Sequence, residues 1–142
     1  MIINETVTFA AEKAQVWDLL TNPEKTRQYM FGSAVVSTWK VGDSIAWNGK
    51  TETGDDITFV KGKILAFEAG SLVTQTMFDP HMGLEDVPEN YAKLTYALTD
   101  DPKGTTLLIT QDFTGVAQAQ KRFEESQKGW PMVIQSMKEL LE

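Results

Sequence analysis

The stretch EESQKGWPMVIQSMKELLE, residues 124–142, carries apolar side chains at Trp130, Val133, Ile134, Met137, Leu140 and Leu141. That three-and-four spacing is one face of an amphipathic helix. Gly129 and Pro131, both unfavourable inside a helix, stand where the face begins. The helix is expected over roughly Val116 to Leu141. It is the longest amphipathic element in the chain, so it needs a broad apolar surface to cover.

The rest of the chain supplies that surface. Two strand patterns, YAKLTYALT (91–99) and TTLLITQDF (105–113), precede the helix, and DDPKG between them has the Asp, Pro and Gly content of a hairpin turn. Further strands are expected at AVVSTW (34–39), SIAWNG (44–49), ITFVKGKILAFE (57–68) and LVTQTMF (72–78). Short turns between successive strands imply an antiparallel meander with one apolar face. At the other end, IINETVTF (2–9) alternates as a half-buried strand and leads directly into AEKAQVWDLL, a helical segment with no Ser, Thr, Asp or Asn at its start. A second short helix has Asn22 as its cap and Pro23 in its first turn, with Gly32 near its end. The order is therefore strand, two helices, about six strands, and a long terminal helix: an α+β fold in a single domain over 1–142.

Composition narrows the chemistry. The 142 residues include no cysteine and one histidine, so thiolate chemistry is impossible and any histidine-based centre would rest on His81. A formal charge of −7 opposes non-specific binding to nucleic acid and to anionic membrane surfaces. No run of about 18 apolar residues is present to insert into a membrane, and the amino terminus has no leader pattern. A soluble, cytoplasmic protein is expected. There is no glycine-rich phosphate loop, no G-x-S-x-G elbow and no metal-spaced ligand cluster. No metal site, no catalytic residue and no cofactor is expected.

Five segments together resemble the activator of heat-shock-protein ATPase homologue-like family: VWDLLTNPEKTRQYM (16–30), VGDSIAWNG (41–49), GKILAFEAGSLVTQT (62–76), GTTLLITQDFTG (104–115) and GWPMVIQSMKELL (129–141). They occur in the family's order and cover nearly the whole chain. This family belongs to the START-like, polyketide-cyclase-related (SRPBCC) superfamily. The resemblance implies a helix-grip fold, in which a curved antiparallel sheet of six or seven strands wraps around the terminal helix. The two small helices would close one end, leaving a cavity between helix and sheet.

Strand phase suggests what lines such a cavity. Ala92, Leu94, Tyr96 and Leu98 form the apolar set of one strand, and Leu107, Ile109, Gln111 and Phe113 that of the next. Gln111, polar on an inward face, requires a partner. It either orients a ligand or bonds Tyr96 or the backbone. Trp130 is either a pocket wall or a core anchor, held where Gly129 allows close backbone approach and Pro131 bends the helix. Trp47 and Ile45 share a strand face, and Val60 and Ile64 extend the wall. Met30, Phe31, Met77 and Phe78, in or beside connections, either form an adaptable mouth or plug the core. His81 and Met82 lie in the irregular stretch nearby. The candidate ligand-binding set is Met30, Phe31, Trp47, Met77, Phe78, Tyr96, Gln111, Trp130 and Ile134.

Three functions follow as expectations. The first is binding of a small hydrophobic or lipid-like molecule in the cavity. The second, implied by the superfamily, is a cyclase- or hydrolase-like enzyme with His81 or Tyr96 as proton donor. The third is a stress-response role with a chaperone partner, because eukaryotic members of the resembling family stimulate the ATPase of a large heat-shock chaperone. Chaperone activation ranks last, since the chain shows only the START-like domain. Oligomeric state is left open.

Overall fold

A computed structural model describes all residues 1–142. Strand β1 (Ile2–Phe9) is followed by helices α1 (Lys13–Thr21) and α2 (Pro23–Tyr29), strands β2 (Ala34–Ser37), β3 (Ser44–Lys50), β4 (Asp56–Glu68), β5 (Leu72–Met77), β6 (Ala92–Asp101) and β7 (Gly104–Asp112), and helix α3 (Ala119–Leu141). The seven strands form one sheet in the order β1-β7-β6-β5-β4-β3-β2. Every neighbouring pair is antiparallel. The meander β2 to β7 is the one the short turns imply, and β1 completes it by pairing with β7. No helix is long and apolar enough to cross a membrane.

Two register shifts interrupt the ladders, opposite Trp47/Asn48 of β3 and between Ile64 and Ala66, and in each the extra residue, Phe59 and Leu65, belongs to β4. Bulges of this kind bend a strand and sharpen its twist. Between β4 and β5 the bend brings backbone very close to backbone. A Cβ on Gly62 would lie 1.7 Å from the carbonyl oxygen of Thr76, so only glycine fits. The alternation read from sequence sets the inner face: Ile3, Val7 and Phe9 of β1, Leu94, Tyr96 and Leu98 of β6, and Leu107 and Ile109 of β7 are all buried. Helix α3 lies on this face through Trp130, Val133 and Met137. Its far end is fixed to β1, where Lys138 Nζ donates to the carbonyl of Thr8 (3.2 Å) and the Glu142 carboxylate accepts from the backbone N–H of Ala10 (2.9 Å).

Three local expectations need correction. Helix α1 starts at Lys13, and Glu12 occupies its cap position. The side-chain oxygen of Gln15 accepts the Glu12 backbone N–H at 3.0 Å, so a reciprocal pair replaces the missing Ser, Thr, Asp or Asn. Helix α2 begins as expected, with Asn22 Oδ1 accepting from the N–H of Glu24 (3.0 Å) and Pro23 following. Helix α3 starts at Ala119 instead of near Val116, because Gly115 and Gln118 have left-handed φ values of 79° and 53°. Val116 is irregular and Ala117 and Gln118 form a turn instead, and the buried Arg122 holds this turn by donating to the carbonyls of Asn90 (2.9 Å) and Ala117 (3.5 Å).

The third correction concerns KGWP. Helix α3 is continuous through Pro131, which is exposed. A Cβ on Gly129 would meet nothing within 4 Å. The glycine therefore does not serve close contact with the sheet. It faces open space, and that space is the cavity.

Candidate functional site

Between α3 and the inner face of the sheet lies a cavity of about 280 Å³. Its roof comes from α3, where Ser126, Gly129, Trp130 and Val133 follow the helical three-and-four repeat. Gly129 contributes to the volume by having no side chain. One wall is Trp47 and Val60, direct partners across β3 and β4. The lining is completed by Met30, Phe31 and the buried Ser33 from the α2–β2 connection, Phe59 of β4 and Glu125 of α3, of which Phe31 and Glu125 are exposed and mark the mouth. Phe31 is 66% exposed and sits at φ 51°, a backbone region that disfavours bulky side chains.

The floor is a row of three residues in register. Leu94 of β6 pairs with Gln75 of β5 on one side and Gln111 of β7 on the other. Both glutamines are buried, at 3% and 2% exposure. Gln111 is oriented by Trp130, whose indole Nε1–H donates to Gln111 Oε1 at 2.8 Å. An indole N–H can only donate, so the carboxamide cannot be turned over without setting its NH2 against another donor. Gln111 Nε2 then points at the Met77 sulfur, 3.1 Å away, a weak acceptor. Gln75 is oriented likewise: its Nε2 donates to the Thr76 carbonyl at 3.3 Å, which leaves Oε1 as the end directed away from that bond.

Of the nine residues singled out from sequence, Met30, Phe31, Trp47, Met77, Gln111 and Trp130 line this cavity. Three lie elsewhere. Phe78 is fully buried and stacks on Tyr91, with ring centroids 4.9 Å apart, at the bridge between Phe78 and Lys61. Ile134 is one position past the stripe formed by Trp130 and Val133 and packs on the core. Tyr96 is 2% exposed and meets Trp130 edge-on at 6.4 Å, and its hydroxyl has no partner. It is therefore not the partner of Gln111. Burial pushes the Tyr96 phenol well above its ordinary range, and the Tyr29 phenol, which donates to the carbonyl of Leu19 (2.9 Å), rises for the same cause.

His81 is exposed in the β5–β6 connection, with Nε2 2.9 Å from the carbonyl oxygen of Thr58, and neither it nor Met82 reaches the cavity. The sequence reading missed Ser33, Phe59 and Gln75. The signal for Gln75 was present: it shares strand phase with Val73 and Met77, as Gln111 does with Leu107 and Ile109. Glu125 is the only Asp, Glu, His, Lys or Arg in the lining.

The family profile of the activator of Hsp90 ATPase homolog 1-like proteins matches residues 10–142. The chain belongs to that family. This is the family that its five collinear segments resemble. Among solved structures, a protein of Cytophaga hutchinsonii is 35% identical and superposes with a TM-score of 0.76 over 99% of this chain and 93% of its own. A Mesorhizobium loti protein at 21% identity has a TM-score of 0.75 over 99% of this chain and 96% of its own. CalU16 of Micromonospora echinospora, at 17% identity, has a TM-score of 0.68 over 96% of this chain and 70% of its own. The last two share the fold. No functionally curated protein matches the chain by sequence. Fold and family together place this member in the helix-grip class.

Proposed function

We propose that this protein binds a small, mainly apolar molecule in the cavity beneath α3. The observation behind the reading is the lining itself. Trp47, Val60, Met77, Leu94, Trp130 and Val133 surround a space that two buried carboxamides share, the composition of a site that holds apolar ligands and orients them through few polar groups. The methionines at positions 30 and 77 adapt to varied shapes. Catalysis by proton transfer has less support, because Tyr96 lies outside the lining and His81 is on an exposed loop.

The four tryptophans supply the test. Trp47 and Trp130 line the cavity, whereas Trp17 and Trp39 pack against Phe67, at centroid distances of 5.7 and 6.2 Å. Apolar probes should change intrinsic fluorescence saturably, and a Trp17→Phe/Trp39→Phe double variant should keep the response. A flat titration with aliphatic and aromatic probes alike, or a response lost with the double variant, would contradict an occupied cavity.

A further inference from the structure

We propose that the cavity selects neutral apolar molecules carrying a hydrogen-bond donor, a hydroxyl or N–H, over the carboxylate anions of lipids. The inference rests on the binding role proposed above and specifies its ligand. Its basis is Gln75, a carboxamide 3% exposed on the cavity floor. The side chain makes one hydrogen bond, from Nε2 to the Thr76 carbonyl at 3.3 Å. Turning the amide over would set oxygen against oxygen, so Nε2 stays on Thr76 and Oε1 is left to the cavity without a donor from the protein. Having no donor from the protein, that acceptor takes its partner from whatever fills the cavity, water or ligand.

Gln111, two strands away on the same row, does not offer the same opportunity. Its oxygen already accepts from Trp130 at 2.8 Å and one of its amide hydrogens rests on the Met77 sulfur, so it is held and partnered where Gln75 Oε1 is not. Gln75 Oε1 is therefore the floor oxygen that no protein donor reaches, and a ligand donor is what it can take. An ionised carboxylate has none to give. It would also enter a site whose lining contains no Lys, Arg or His and whose mouth carries Glu125, in a chain of net charge −7. Burying an anion without a cation or several donors is strongly disfavoured. A hydroxyl meets both conditions, since it donates to Gln75 Oε1 and brings no charge.

The volume sets the size of the probes. About 280 Å³ corresponds to roughly nine waters at ~30 Å³ each, enough for a chain of about ten non-hydrogen atoms. Octanol, octyl methyl ether and octanoate keep one skeleton and change one end. Binding is read by calorimetry and by tryptophan fluorescence at neutral pH. Octanol should bind roughly 3- to 10-fold more tightly than its methyl ether, the range expected for one net hydrogen bond, and octanoate more weakly than either. In Gln75→Leu the octanol preference should vanish while the ether still binds, and a thermal melt checks that the variant is folded. Equal binding of octanol and ether, tighter binding of octanoate, or a preference that survives Gln75→Leu overturns the inference and leaves the cavity's binding role standing. Binding by none of the three overturns both.

Discussion

At the scale of single residues, two buried polar groups near Trp130 have opposite energetic signs. The indole N–H and the Gln111 oxygen satisfy each other at 2.8 Å, and the Tyr96 hydroxyl, beside the same indole, is satisfied by nothing. Trp130→Phe should therefore destabilise the protein by about 1–3 kcal/mol from the orphaned carboxamide oxygen alone, with further loss from the smaller ring. Pairing it with Gln111→Leu should cost less than the sum of the single changes, because both delete the same bond. Tyr96→Phe should be neutral or stabilising, since it removes a buried hydroxyl that lacks a partner. Urea denaturation measures all four variants, and a loss of more than about 1 kcal/mol in Tyr96→Phe would show that its hydroxyl is bonded after all. The inward phase of Gln111 was legible from strand alternation. Its partner was not, because Trp130 lies 19 residues away on a helix whose rotation over the sheet no local pattern specifies.

At the scale of elements, α3 shows where sequence periodicity informs and where it stops. The stripe Trp130, Val133 and Met137 is buried as its spacing requires, yet the helix starts at Ala119 because of two left-handed residues, one of them a non-glycine, Gln118, that propensity does not reveal. The α1 cap was hidden for a related reason, since Glu12 and Gln15 do together what a single Ser or Asp does elsewhere. The sequence suggests close approach at Gly129, and the structure has open space there. That reversal changes the expected result of mutating it. Gly129→Ala should stabilise the helix by roughly 0.5–1 kcal/mol, the usual advantage of alanine over glycine. Gly129→Leu should keep much of that gain while its side chain occupies the cavity, so apolar probes that bind the wild type should bind at least several-fold more weakly. A leucine variant that melts lower than wild type would restore the close-approach reading. One that melts higher and binds probes unchanged would mean Gly129 has no part in the cavity.

At the scale of the whole molecule, the curved sheet places groups from both ends of the chain in the same structure. The β2–β7 meander and the covering helix were legible because alternation, turn residues and helical spacing are local signals; the pairing of β1 with β7, about a hundred residues apart, was not. The curvature was not, since it depends on bulges at Trp47/Asn48 and Ile64/Ala66 and on the Gly62–Thr76 approach, all of them relations between strands. Acid stability reports on the same long-range organisation. Asp112 ends β7, pairs in register with Ile2 and Lys93, and accepts hydrogen bonds from the side chain and backbone N–H of Thr114, which hold its carboxyl below the ordinary value of 3.8. Asp18 is lowered chiefly by its hydrogen bond from Lys25, 2.5 Å away, and Asp86 chiefly by that from Lys61. A carboxyl whose folded value is depressed adds stability that is fully present above its unfolded value and is lost as pH falls through the folded one. The melting temperature should therefore hold from neutrality to about pH 5 and decline below about pH 4, where these groups take up protons in the unfolded chain first. Exposure screens Asp18 and Asp86, so the turn at Asp112 should account for a separable part of the decline. Asp112→Asn should lower stability at neutral pH and make the acid limb shallower. If that variant melts in parallel with wild type across the whole range, the carboxylate at the β7–α3 junction does not couple protonation to folding.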